Sequence, residues 1–268
     1  GVVDDKMDVR SILKLIIQIA LAYFVFNSGI KVESMFGIFG IYELPVLAQW
    51  FLTILIIVGV INAFNLMDGI DGLAAGLAII GLGAFAFIAF LTGKMFLVLF
   101  YLALIGALVG FLKFNLSKKN KIFMGDAGSL VLGFILVVSG IFLIQSAQGT
   151  SNISITLAIV IGVLFLPVAD SLRVYRRRIK TGYSPFRADK THLHHLVLFL
   201  GFKHKRASSL IILGSMLLVV FSVIFTNVFN VTITILSIFT LFVLLSSFLG
   251  VSNELKIWKE NIEKLEKR

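Results

Sequence analysis

Eight apolar runs separated by short polar joints make up most of the chain: about Ser11–Gly29, Val46–Phe64, Leu73–Leu91, Phe96–Leu112, Gly128–Ser146, Ser154–Leu172, Ala207–Thr226 and Thr232–Gly250. Each holds about twenty residues, enough at 1.5 Å per residue to cross a hydrocarbon core roughly 30 Å thick. Phe contributes 26 residues and Pro only 3, which suits long unbroken helices rather than the turn-rich strands of a barrel. The pattern predicts an all-α, polytopic integral membrane fold with about eight transmembrane helices in one domain over residues 1–268. The one long connection, 173–206, is expected as a basic loop that carries every histidine.

Composition agrees with the pattern: 59% of residues are hydrophobic, 14% are charged and mean hydropathy is +1.03. With no Cys, disulfides and thiolate metal sites are excluded. All but Lys31 and Lys94 of the 24 Lys and Arg fall on one side of the predicted spans, and the positive-inside rule makes that side cytoplasmic. The +10 net charge is therefore topology rather than a nucleic-acid footprint. Nothing in the topology rule sorts acids, yet every Asp joins the same side: Asp4, Asp5, Asp8, Asp68, Asp71, Asp126, Asp170 and Asp189. The four His join them, and six of these twelve residues sit in compact clusters at helix ends, as one active site at the inner face of a plasma membrane does. A transporter more often places acids mid-span.

The densest cluster is Asn65-Leu66-Met67-Asp68-Gly69-Ile70-Asp71-Gly72, at the joint between two runs. As a helix it puts Asn65, Asp68 and Asp71 on one face at i, i+3, i+6; the plainer reading is an Asx-rich turn with Gly69 and Gly72 as turn residues. Two aspartates beside hydrocarbon call for a cation or a substrate to face. Asp4-Asp5 is a second acidic pair, suited to phosphate chemistry or simply a solvated loop. Asp126, between Gly125 and Gly128, reads as a helix cap or a hard-metal ligand. Lys118, Lys119 and Lys121 beside it are interfacial anchors or phosphate contacts. His192, His194 and His195 lack a thiolate partner and do not share one face, so diphosphate binding through N–H donors fits them better than zinc. His204 reads as a surface residue.

In this order and between spans, Asp4-Asp5, Asn65-x-x-Asp68-x-x-Asp71-Gly72, Asn115, Phe123-Met124-Gly125-Asp126-x-Gly128-Ser129 and His192-x-His194-His195 resemble the polyprenyl-phosphate N-acetylhexosamine-1-phosphate transferases of glycosyltransferase family 4. The resemblance covers essentially the whole chain. Ser184-Pro185-Phe186, Asp189-Lys190 and the His-x-His-His form are closer to the WecA/TagO branch than to the MraY branch. The resemblance implies Mg²⁺-dependent (or Mn²⁺-dependent) transfer of a sugar-1-phosphate, GlcNAc-1-phosphate first among them, from a UDP-sugar to undecaprenyl phosphate, with release of UMP. This is a first membrane step of cell-envelope polysaccharide synthesis. It also implies roles: Asp126 as metal ligand, Asp68 and Asp71 as catalytic acids near nucleotide and metal, and Asp4 and Asp5 as the pair near the lipid phosphate. Asn65 and Asn115 become polar substrate contacts, and His194 and His195, with His192, diphosphate contacts.

The family carries further spans and a functional Lys ahead of the acidic pair, so the chain is expected to be a C-terminal fragment of a longer protein. Three rivals are weighed against this reading: an MraY-type phospho-MurNAc-pentapeptide transferase, a cation-coupled transporter and a CDP-alcohol phosphotransferase. The last lacks its downstream Asp set here. The sequence leaves the sugar, the downstream polymer, the one-step or covalent mechanism and a homodimer open.

Overall fold

The computed structural model of the chain describes residues 11–184 and 191–266, without the side chains of Ser11 and of 257–266. Asp4, Asp5 and Asp189 lie outside the described residues. Helices follow the apolar runs: α1 (Ser11–Asn27), α2 (Val46–Asn65), α3 (Leu73–Leu91), α4 (Met95–Asn115), α5 (Gly125–Ala147), α6 (Ile153–Lys180), the short α7 (Leu193–Phe199), α8 (His204–Val228) and α9 (Val231–Glu266). Among the described residues seven helices are long and apolar enough to cross a membrane, and α1 is a shorter apolar helix beside them. The basic connection is less of a loop than expected, because α6 runs on through Lys180 and α7 forms before α8 begins.

An antiparallel hairpin that the hydrophobic pattern does not announce joins α1 to α2: β1 (Ser34–Ile38) pairs β2 (Ile41–Glu43), with Ser34 opposite Glu43 and Ile38 opposite Ile41. Its two strands are too short to show a period of two against the surrounding apolar runs. The fold is otherwise helical, as expected.

α3 lies in the middle and packs against α4, α5, α6 and α8. Its Ala and Gly positions suit that place, because small residues let neighbouring backbones approach where lipid supplies no hydrophobic drive between helices. Between α5 and α2, a Cβ on Gly133 would stand 3.0 Å from the Ile61 Cα, so only glycine fits without a shift. Outward positions such as Leu47, Phe96, Leu99 and Leu244 are exposed apolar side chains suited to lipid. α4 is mostly such a face, and its buried residues are Tyr101, Leu108 and Asn115. Those three recur every two turns, so Asn115 continues the stripe that packs inward and its amide is delivered to the site end of the bundle.

Short connections make neighbouring helices antiparallel. The start of α1, the 66–72 turn, the 116–124 connection and the 181–203 segment therefore share one end. The hairpin lies at the other end, where Phe39 donates its N–H to Thr232 Oγ1 (2.9 Å) and Gln145 Nε2 donates to Gly29 O (3.0 Å).

Candidate functional site

α2 stops at Asn65, and residues 66–72 form successive turns rather than a continuing helix. The single helical face expected for Asn65, Asp68 and Asp71 is therefore not formed; of the three, only Asn65 is helical. Two glycines in four residues are the physical reason, since each costs about 1 kcal/mol in a helix interior, and Gly72 takes the left-handed conformation at φ +78 just before α3.

Three other elements brace this turn. Asn115 Oδ1 accepts the Gly72 N–H (2.7 Å) while its Nδ2 donates to Ile122 O (2.9 Å). Both ends of that buried amide are spent on backbone, so Asn115 staples the acid turn to the 116–124 connection. From α8, the buried Ser208 donates to the Asp71 carbonyl (2.6 Å). From α7, the His194 ring lies edge-on against Gly69, where a Cβ would come within 2.2 Å of Nε2.

Asp126 enters from the first turn of α5, a position whose carboxylate also suits the helix dipole. The cap position belongs to Met124, and the Asp126 carboxylate turns to other partners. Lys14 Nζ donates to its Oδ2 (2.6 Å) and Asn65 Nδ2 to its Oδ1 (3.1 Å), while Asn65 also donates to Ser129 Oγ (2.8 Å). One turn along α1, Gln18 meets Asn62 through paired amides. Lys14/Gln18 and Asn62/Asn65 thus form one polar seam between α1 and α2, at i, i+4 and i, i+3 spacing. Lys121 Nζ donates to Asp71 Oδ2 (2.7 Å) from the connection before α5.

The Asp68 carboxylate has no hydrogen-bond or ion-pair partner among the described residues. Its carboxyl is pushed up to about 6, first by burial and then by the negative charges of Asp126 and Asp71. Among the described residues, three carboxylates thus share one region with two ammonium groups.

The histidine segment is built differently. Asp170, on α6, is fully buried and accepts from Arg173 Nη2 (2.6 Å), His192 Nδ1 (2.9 Å) and the Leu193 N–H (3.1 Å to each oxygen). Because a carboxylate only accepts, the His192 proton sits on Nδ1. Breaking a buried pair of this kind costs about 3–5 kcal/mol. His194 is buried too, and burial, followed by the neighbouring His195 and His192, lowers its imidazole to about 4, so it is neutral and offers an N–H donor rather than a charge. Its Nδ1 finds no partner among the described residues. His195 is half-buried beside it, with ring centroids 4.3 Å apart, and His204 is exposed at the start of α8.

The structure thus brings Asn65, Asp68, Asp71, Asp126 and His194 to one end of the bundle, with Asn115 and His192 engaged beneath them. Lys14, Asp170 and Ser208 were not singled out from sequence as site residues, and Lys121, read as an anchor or a phosphate contact, turns to Asp71. The Lys14–Gln18 pair inside an apolar run, and an Asp three residues before Arg173 in another, were the available signals.

Among the described residues no group of three or more acidic or His side chains converges as a ready-made metal cage. The donor set instead fits a hard cation that takes one or two carboxylates and completes its shell with water and substrate phosphate oxygens, as Mg²⁺ does. Asp126 and Asp71, each now facing an ammonium group, are the residues that would hold it.

The family model for glycosyl transferase family 4 matches residues 1–144. The undecaprenyl-phosphate alpha-N-acetylglucosaminyl 1-phosphate transferase of Yersinia pestis is 31% identical over 229 residues, covering 84% of this chain and 62% of that protein. Its counterpart in Escherichia coli K12 is 33% identical over 224 residues, covering 81% and 60%. A probable undecaprenyl-phosphate N-acetylglucosaminyl 1-phosphate transferase of Bacillus subtilis is 32% identical over 253 residues, covering 91% and 66%. The chain therefore spans less than two thirds of the length of these relatives.

Proposed function

The chain belongs to glycosyl transferase family 4, and from that membership we propose that the full-length protein transfers GlcNAc-1-phosphate from UDP-GlcNAc to undecaprenyl phosphate. In the reaction an oxygen of the lipid phosphate forms a bond to the β-phosphorus of the UDP-sugar. The bond from that phosphorus to the bridging oxygen breaks, and UMP leaves with the oxygen. The observation that carries the reading is the junction of His194 with the acid turn, beside an Asp126 already held by Lys14 and Asn65. Phosphoryl transfer asks a protein mainly for alignment and charge neutralisation, and this junction offers both.

The roles follow from the partners. Asn65 orients the Asp126 carboxylate. Lys14 and Lys121 move their ammonium groups from carboxylate to phosphate oxygens as substrate charge arrives. His194, neutral, donates an N–H to the diphosphate. Asp68, unpartnered and high in proton affinity, takes up or yields a proton near neutral pH. Asp4 and Asp5, outside the described residues, keep their proposed place by the lipid phosphate. Asp126 and Asp71 would hold Mg²⁺, which would supply charge neutralisation on the diphosphate. The basic asymmetry supports a cytoplasmic position for this end, at the plasma membrane.

Membranes bearing the full-length protein, incubated with radiolabelled UDP-sugars, test the proposal. The expected result is chloroform-extractable label from UDP-GlcNAc with release of UMP. Label from UDP-MurNAc-pentapeptide instead identifies the MraY-type reaction, and absence of lipid-linked label from any UDP-sugar overturns the transferase reading.

A further inference from the structure

α7 is seven residues long, and a helix that short does not hold its own place. Its cap residue, His192, supplies no side-chain cap. Asp170 takes over that function from α6 by accepting the Leu193 N–H, and it also fixes the His192 ring. Arg173 completes the hold by donating both to Asp170 and to Thr191 O, each at 2.6 Å. Three successive residues, Thr191, His192 and Leu193, are therefore pinned to α6 through one carboxylate and the guanidinium it pairs with.

His194 follows directly, and no side-chain hydrogen bond to it is found among the described residues. It is seated by contact alone: parallel to the His192 ring at 5.9 Å, with 5° between planes, and edge-on against Gly69. Its position is inherited from the pinned residues before it. We propose that Asp170 is the positioning residue that seats His194 against the acid turn, acting through His192 and the start of α7. The plain alternative is that Asp170 only pairs with the charge of the half-buried Arg173.

The inference rests on the transferase reading for its kinetic arm alone. Its first arm uses the full-length protein without substrate, labelled with diethyl pyrocarbonate and read by mass spectrometry. Exposed His204 reacts fast in the parent, whereas buried His192 and His194 react slowly. In Asp170→Asn, labelling of His194 relative to His204 is expected to rise about tenfold as the segment opens. In the kinetic arm, kcat is expected to fall about 100-fold with KM for the UDP-sugar within about threefold, the mark of lost alignment rather than lost binding. On a His194→Ala background the same substitution is expected to change kcat by less than about twofold, because the two act in one chain.

Parent-like protection of His194, or kcat losses that multiply in full, overturn the proposal. Should Asp170→Asn fail to fold, the pair Asp170→Asn/Arg173→Met removes both charges of the pair together. Parent-like protection and kcat in that pair show that Asp170 only neutralises Arg173; an exposed His194 in that pair supports positioning. Failure of the transferase reading appears separately, as absence of UMP release by the parent, and leaves the labelling arm intact.

Discussion

The acid turn and the histidine segment touch where His194 lies on Gly69, yet they are held in opposite ways. Around Asp126 and Asp71 the positive charges found among the described residues are ammonium groups on long, partly exposed side chains: Lys14 is 23% exposed and Lys121 38%. Around Asp170 the charge is a guanidinium bonded to a carboxylate with no exposure at all. An exposed lysine pair contributes about 0–1 kcal/mol and is easily exchanged; a buried, fully bonded carboxylate is not. The contrast teaches a division of labour that suits the proposed function: the acid side is built to exchange its counter-charges, while the histidine side is built to hold geometry.

Removing divalent cations is the harshest test of the exchangeable half. EDTA is expected to abolish UMP release by the full-length protein, with Mg²⁺ or Mn²⁺ restoring it and Zn²⁺ not, since hard oxygen donors dominate and no thiolate exists. Full activity in EDTA breaks the comparison at its root. Next in size, Asp126→Asn keeps the shape and the Asn65 neighbour but loses a charge; turnover is expected to fall about 10²–10³-fold with little change in thermal stability. Near-parent turnover would show that Asp126 holds no cation.

Gly69→Ala strikes the contact between the halves. The new Cβ lies 2.2 Å from His194 Nε2, so the imidazole must give way. Turnover is expected to drop about tenfold or more while stability falls by about 1–3 kcal/mol, and unchanged turnover in a folded variant would remove His194 from the site.

A smaller effect separates the halves by pH. Asp68, pushed up to about 6, gives kcat/KM an acid limb near pH 6 that Asp68→Asn abolishes; His194, at about 4, stays neutral from pH 5 to 8 and adds no limb there. In stability the two oppose each other. Asp68 holds its proton more tightly folded than unfolded and loses stability as pH rises from about 4 through 6, whereas His194 loses stability as pH falls from about 6.5 through 4. The kinetic profile, not a melting curve, is therefore the measurement to make. The smallest expected effect is Lys121→Met, which removes an exposed ion pair and should cost under about 1 kcal/mol of stability and raise KM about threefold or less; a larger stability loss would place Lys121 with the rigid half.

The spans were legible because hydrocarbon demands unbroken apolar runs, and all eight runs became helices. So was the gathering of acids and histidines at one end, which follows from alternation of short connections. The partners were not. Nothing in local pattern tells that Lys14 reaches Asp126, 112 residues on, or that Asp170 serves His192 across 22 residues. Such pairings depend on how helices are laid side by side, which periodicity does not encode. The 66–72 segment was read with a helical face because spacing alone cannot weigh two glycines against three polar residues. The hairpin escaped because its strands are only five and three residues long.

The wide separation of those partners also sets a clock. Lys14, the acid turn, Asp126 and the His192–His194 segment are made in that order, 180 residues from first to last, and a ribosome adding about 5–20 residues per second needs roughly ten to forty seconds to cover them. During that interval the early helices sit in the membrane with Asp68 and Asp71 already in place but no imidazole on Gly69. The proposed site is therefore complete only once the His192–His194 segment has been made and seated.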